Sequence, residues 1–207
     1  MEYGGLFSVC HGDASDASPG GRNLVLSGSP EDCKMENYME EMVPVVDENN
    51  RIVQVVPRSV MRRNEMPHRA SYIVLGDGEG RFYIERRTMI KDYCPGMLDA
   101  CVGGVVQDGE DDIALSAERE LQEELGVRTE LKSLGWKKLQ HKPETFTWAG
   151  VFYGEYRGSI IMQQSEVDDV LMLTAEEVYA RAGEFTPDSL IAFRFVQEKL
   201  KSGCLNG

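Results

Sequence analysis

Aliphatic residues recur along the chain in two rhythms, and the change from one to the other marks out its elements. Val43-Pro44-Val45-Val46 and Ile52-Val53-Gln54-Val55-Val56 flank the turn composition Asp47-Glu48-Asn49-Asn50, so they predict a β-hairpin. Residues 70–75 and 81–85 predict a second hairpin around Gly76-Asp77-Gly78-Glu79-Gly80, and residues 98–106 a further strand. From about Ile113 to Leu125 the spacing lengthens, and Ala114, Ala117, Leu121 and Leu125 form the apolar stripe of an amphipathic helix. Asp111 or Asp112 can cap its start, and Gly126 suits a left-handed stop. Strands are predicted at about 129–139, 146–156 and 167–173, then helices near 175–182 and 188–201. Thr186-Pro187-Asp188-Ser189 opens the last helix, with proline ahead of an acidic first turn. Strands mixed with a few helices, without strict βα alternation, predict an α/β sandwich with a mixed sheet.

The pattern fades toward the N-terminus. Residues 1–42 are expected to form a flexible extension and residues 43–203 the folded domain. Within the extension, Gly12-Asp13-Ala14-Ser15-Asp16-Ala17-Ser18-Pro19-Gly20-Gly21 is too polar and breaker-rich to bury an ordering surface. A short strand at Leu24-Val25-Leu26 and a short helix over residues 31–42 are expected there.

Composition narrows the partners. A chain of 207 residues with 42% hydrophobic residues suits one ordinary domain plus a tail, and no apolar run reaches membrane-spanning length, so no membrane partner is expected. A net charge of −13 argues against a nucleic-acid polymer, which calls for a basic footprint. Small phosphorylated molecules fit only where a metal or local basic residues reverse the field. Cys10, Cys33, Cys94, Cys101 and Cys204 include no C-x-x-C pair, and no basic plus apolar leader precedes them. Reduced thiols in a cytoplasmic, reducing compartment are expected. The first arginine is Arg22, which speaks against a mitochondrial-type presequence.

The chemistry concentrates in Arg119-Glu120-Leu121-Gln122-Glu123-Glu124-Leu125-Gly126-Val127. Glu120, Glu123 and Glu124 stand at i, i+3 and i+4, on one helix face. A solvated acidic face is the plainer reading of those three alone. No basic residue lies among them, so their repulsion calls for a cation, and hard cations such as Mg²⁺ take carboxylate oxygens. Upstream lies Gly103-Gly104-Val105-Val106-Gln107-Asp108-Gly109-Glu110. The two stretches together resemble the Nudix box, G-x5-E-x7-R-E-U-x-E-E-x-G-U with U aliphatic. Gly104 and Glu110 meet its first spacing, and Arg119, Glu120, Leu121, Glu123, Glu124, Gly126 and Val127 meet its second half. One departure stands out: eight residues, not seven, separate Glu110 from Arg119. Either Asp111 takes the first acidic place, or the loop before the helix bulges by one residue.

The resemblance implies a Nudix-type α/β/α sandwich with a mixed sheet, and a hydrolase that cleaves a diphosphate linkage in a nucleoside diphosphate derivative or related small diphosphate. It implies Mg²⁺ or Mn²⁺ held by Glu120, Glu123 and Glu124, with a backbone carbonyl at Gly103 or Gly104, and Arg119 orienting a glutamate through an ion pair. Glu166, in Ser165-Glu166-Val167-Asp168-Asp169-Val170, is the candidate for a further metal contact or for activating water, with Glu144 as a rival. Arg86, Arg87 and Lys91 resemble an R-R then K-x-x-x-P-G arrangement found near the phosphates in related proteins. His68 and Arg69 open a strand, where structural roles are the commoner reading. A homodimer is common among relatives and is expected as an option.

Outside the box, Val45-Val46-Asp47-Glu48-Asn49, Pro67-His68-Arg69-Ala70 and Pro95-Gly96-Met97-Leu98-Asp99 are similar to segments of proteins related to isopentenyl-diphosphate isomerase. Glu184-Phe185-Thr186-Pro187-Asp188-Ser189-Leu190 resembles a bacterial hydrolase branch of that group, and the likeness spans residues 43–200. Isomerisation is therefore the rival activity. It needs a cysteine and a glutamate flanking the hydrocarbon and a metal held largely by histidines. Gly103-Gly104-Val105 occupy the places of the isomerase's Cys-Gly-His. Cys101 would face the same side of a strand, but two residues at ~3.3 Å each displace it. A third class, Nudix modules that bind nucleotides without turnover, usually loses box glutamates, and none is lost here.

Overall fold

Two hairpin-like turns set the frame, and they end differently. The computed structural model describes residues 40–142 and 145–203. In the first turn, β1 (Met42–Val46) pairs antiparallel with β2 (Ile52–Pro57). The Asp47 carboxylate closes this turn, accepting from the backbone N–H of Asn49 at 2.8 Å and of Arg51 at 2.9 Å. The second turn, between β3 (His68–Gly76) and β4 (Arg81–Arg87), joins strands that meet only at Gly76 and Phe82. The hairpin expected there opens because both strands find longer partners. β3 runs parallel to β7 (Thr145–Glu155) over its whole length, and β4 pairs antiparallel with β8 (Val167–Thr174). β6 (Leu131–Lys142) lies antiparallel on the far side of β7.

The strand expected over residues 98–106 is shorter than predicted. Only β5 (Leu98–Asp99) is regular, and Val102 and Val105 touch β3 through single bridges to Ile73 and Ala70. Gly103, at φ 151°, breaks the run. A short helix α1 (Arg58–Arg63) follows β2 and went unpredicted, because with Met61 its only buried residue it shows no apolar stripe. The helix predicted over residues 31–42 and the strand at 24–26 fall outside the described residues, except that Met42 opens β1 where the helix was to end.

Helix α2 (Ile113–Leu125) has the predicted bounds, and α3 (Ala175–Ala180) and α4 (Pro187–Lys201) close the chain, with a 3₁₀ turn at Ala182–Glu184 between them. Alternation on β3 feeds two cores. Ile73 and Leu75 join Ala117, Leu121, Leu125 and Phe152 on the α2 side. Val74 joins Val151, Tyr153, Ala192, Phe193 and Val196 on the α4 side. A parallel β3–β7 pair buried on both faces is the centre of an α/β/α sandwich with a mixed sheet. Truncating a residue such as Leu121, 1% exposed, would cost about 2–5 kcal/mol. Among the described residues no helix is long and apolar enough to cross a membrane.

Candidate active site

Helix α2 is held at both ends by groups the local sequence supplies. The Asp112 side chain accepts from the Ala114 N–H at 2.9 Å, and Gly126 takes the left-handed conformation at φ 67°. The open carbonyls of Glu124 and Leu125 accept from the N–H groups of Gln163 and Ile161, both at 2.9 Å. Those bonds fasten the loop that carries Glu166 onto the helix end. The three glutamates do not share one environment: side-chain exposure is 14% for Glu120, 50% for Glu123 and 6% for Glu124.

Their charge is met by protein cations, through more ion pairs than the one to Arg119 that the resemblance implied. Arg119 spreads its guanidinium over three carboxylates: Nε to Glu110 at 2.9 Å, Nη1 to Glu123 at 2.9 Å and Nη2 beside Glu120 at 2.9 Å. Glu110 therefore occupies the first acidic place and Asp111 does not. The extra residue is absorbed in the loop, where Gly109 adopts φ 88° and Glu110 also accepts from the Gln107 N–H at 3.0 Å. On the other side Lys91 bridges Glu124, at 3.0 Å, and Glu166. Lys91 thus pairs with one box carboxylate and with Glu166, leaving its expected role on substrate phosphate to be shared with them.

Uncompensated repulsion remains at Glu120. Burial, then Glu124, push its pKa up to about 7, with Arg119 opposing. Gly104 presses against this carboxylate so closely that a Cβ there would sit 2.4 Å from Glu120 Oε1. The Gly104 carbonyl accepts from the Ser71 N–H at 2.9 Å, and the Gly103 N–H points at Glu124 Oε2, 3.4 Å away. Among the described residues no three acidic, histidine or cysteine side chains close on a single point, since Arg119 and Lys91 stand between the carboxylates. The donor set nevertheless fits a hard divalent cation: carboxylate oxygens, a nearby carbonyl and excess negative charge at Glu120.

These groups line a cavity of about 990 Å³ whose other wall is built from β3, α1, the β4–β5 loop and the start of α4. There Asp188 accepts from the Tyr72 hydroxyl at 2.6 Å and the Tyr93 hydroxyl at 3.0 Å. Arg87 donates to Asp99 at 3.2 Å and to the Tyr93 carbonyl at 3.0 Å. Burial pushes the Asp99 carboxyl up to about 6 against the pull of Arg87. His68 donates from Nδ1 to the Met66 carbonyl at 2.9 Å, and burial pushes its pKa down to about 4, so the ring is neutral.

Sequence reasoning missed Asp188, Tyr72, Tyr93 and Arg62. Asp188 stood in a motif already singled out, but as the acidic first turn of a helix. Of the predicted substrate residues, Arg87 and Lys91 line the cavity, whereas Arg86 donates to the Gly96 carbonyl at 3.3 Å and does not line it. Arg69 is held by Asn50 and lies over the Trp136 ring. Cys101 is buried, with its thiol 3.7 Å from the Ser189 carbonyl, and burial raises its pKa. Glu144 lies outside the described residues.

Comparison with known proteins agrees with this geometry. The NUDIX domain family matches residues 66–193. The chain is 41% identical over 158 residues to the uncharacterized Nudix hydrolase YfcD of Escherichia coli K12, covering 73% of this chain and 84% of that one. It is 33% identical over 156 residues to an uncharacterized Nudix hydrolase of Pseudomonas aeruginosa, covering 74% and 92%. Among solved structures, DR0079 of Deinococcus radiodurans superposes with a TM-score of 0.63 at 26% identity, over 74% of this chain and 98% of that one. The NUDIX domain of Shewanella oneidensis NrtR, complexed with ADP ribose, gives 0.55 at 14% identity, over 70% and 99%, a likeness of fold alone.

Proposed function

This chain belongs to the NUDIX family, and from that premise we propose that it hydrolyses the diphosphate linkage of a nucleoside diphosphate derivative with the help of Mg²⁺ or Mn²⁺. Nudix hydrolases generally cleave pyrophosphate bonds in such molecules and generally use divalent metal ions. The observation that carries the proposal is the Arg119 fork on Glu110, Glu120 and Glu123, beside Glu124, at the wall of a 990 Å³ cavity.

In this reading Glu120, Glu123 and Glu124, with the Gly104 carbonyl, hold the dication. When bound, it neutralises phosphoryl oxygens and lowers the pKa of an attacking water. The protein's own part is positioning, which dominates phosphoryl transfer because little covalent chemistry is needed. Arg119 fixes the side chains of Glu120 and Glu123. Lys91 holds Glu124 and Glu166 together, which keeps the Glu166 carboxylate at the cavity, where it takes the proton of the attacking water. Arg87, already forked between Asp99 and the Tyr93 carbonyl, presents its guanidinium to substrate oxygens.

A panel of nucleoside diphosphate derivatives, including ADP-ribose, and of isoprenoid diphosphates tests the proposal by phosphate release with and without EDTA. Activity should need the metal, and Glu123→Gln combined with Glu124→Gln should lower kcat on the order of a thousandfold. Turnover that survives either change removes the mechanism. The isomerase reading is the weaker one: Cys101 lines the cavity, but its thiol is turned to the Ser189 carbonyl and burial raises its pKa. Deuterium uptake by isopentenyl diphosphate that vanishes in Cys101→Ala would restore it.

A further inference from the structure

Four arginines line the cavity, and three of them are matched by good acceptors. Arg58 meets Glu41 at 2.6 Å, Arg87 meets Asp99 at 3.2 Å, and Arg119 meets three carboxylates. Arg62 is the exception. Among the described residues its one ionic contact is Nε to Asp92 at 3.5 Å, and the Asp92 side chain is half exposed. That Nε is shut off from solvent and makes no hydrogen bond among the described residues; Arg119 Nη2 shares this state but has the Glu120 carboxylate at 2.9 Å. Its guanidinium lies 5.8 Å from the centre of the Tyr93 ring, which Arg87 approaches at 5.9 Å.

Burial pulls the Arg62 pKa down, and the neighbouring Arg58 and Arg87 add to the strain that Asp92 relieves. A partly buried cation whose Nε is closed to solvent and poorly matched gains from an incoming anion, which the exposed part of the guanidinium can still meet. The charges acting most strongly on Arg62 are Asp92, Arg58, Tyr72 and Arg87, whereas those on Glu120 are Glu124, Arg119 and Glu123. Arg62 thus stands with the tyrosines, not with the glutamates. The cavity, at about 990 Å³, is at the upper end of the roughly 300–1,000 Å³ range of small-molecule sites, so it has room for more than a diphosphate.

We propose that Arg62, beside the Tyr93 ring, is a subsite for a second anionic group, phosphate or carboxylate, on the part of the substrate beyond the scissile diphosphate. This rests on the hydrolase reading above and deepens it: the preferred substrate carries negative charge at both ends. A guanidinium suits either anion, since its fork matches the spacing of their oxygens.

Two matched pairs test the subsite and separate the anions: ADP-ribose against ADP-ribose 2′-phosphate, and UDP-glucose against UDP-glucuronate. Steady-state kinetics and calorimetric binding are measured on each pair with the full chain and Mg²⁺. The full chain should favour the charged member of at least one pair by about tenfold or more, read mainly in KM. Arg62→Ala should bring that ratio near one, and Arg62→Lys should retain part of it. Asp92→Asn should keep or raise the ratio, because it frees the guanidinium, while a merely structural Arg62–Asp92 pair would make it mimic Arg62→Ala. Equal binding of both members of both pairs, or a preference that survives Arg62→Ala, overturns the subsite. Preferential binding without turnover leaves the subsite standing and removes the hydrolase reading.

Discussion

The cavity is lined by two groups of polar residues that are stabilised in opposite ways. Around α2 the carboxylates are answered by cations: Arg119 serves Glu110, Glu120 and Glu123, and Lys91 serves Glu124 and Glu166, with repulsion left over at Glu120. Around Asp188 the partners are neutral hydroxyls from Tyr72 and Tyr93, and the buried His68 is uncharged. The difference suits the two ends of a substrate. Charge answered by movable side-chain cations can be handed over to an incoming dication. Hydrogen bonds donated by neutral hydroxyls to Asp188 set shape, since the acceptor loses more than it gains when a donor leaves.

Removing a cation should hurt most. Lys91→Met leaves Glu124, 6% exposed, without its counter-charge, and about 3–5 kcal/mol of stability should go, measured by urea unfolding. A loss under about 1 kcal/mol would mean that the two groups are held alike.

The second test uses pH. His68 has its pKa lowered by burial from 6.5 to about 4, so between those values the unfolded chain binds a proton that the folded chain refuses. Its contribution is fully present above pH 6.5 and is lost as pH falls toward 4, roughly 3 kcal/mol in all. Unfolding followed from pH 7 to 4 should show this fall on top of any carboxylate effects, and His68→Gln should flatten it by that amount. Parallel curves for the two proteins would place His68 in a more solvated setting.

The smallest effect should come from a single hydroxyl. Tyr72→Phe removes one of two donors to Asp188 and should cost about 1–2 kcal/mol, because Tyr93 still donates to the other oxygen. Combining it with Tyr93→Phe should cost more than the sum, as Asp188 then loses both hydroxyl donors. Simple additivity in thermal unfolding would show that the two hydroxyls do not share one acceptor.

The first group was largely legible before any fold was known. Arg119 and Glu123 are four apart on a helix, and a helix fixes that neighbourhood wherever it sits. The limits of α2 were legible for the same reason, since Asp112 and Gly126 act on the backbone beside them. The partner of Arg119 in the preceding loop was not settled, because an extra residue can be absorbed in several ways and only the turn at Gly109 chose Glu110.

The second group was almost wholly hidden. Tyr72 and Asp188 are 116 residues apart, and Tyr93 and Asp188 are 95 apart, so no local pattern links them; in the first group the Lys91–Glu124 pair, 33 apart, was hidden for the same reason. Likewise the turn after β3 read as a hairpin because its residues are turn-formers. Strands can leave such a turn without pairing when longer partners are available, as β7 and β8 are here.

By itself, then, the order of residues determined most of the helices and strands, though not α1 or the break after Asp99, and where α2 starts and stops, and that three glutamates share an arginine-bearing stretch. Each of those depends on groups within a few bonds or one or two helical turns, where covalent geometry leaves little choice. Tertiary structure alone decided that Lys91 meets Glu124, that the tyrosines of β3 and the β4–β5 loop converge on α4, and that the Arg62 Nε is closed to solvent with only a long contact to Asp92. Those are outcomes of strand register and helix placement, which the whole buried core sets at once and no short segment can encode.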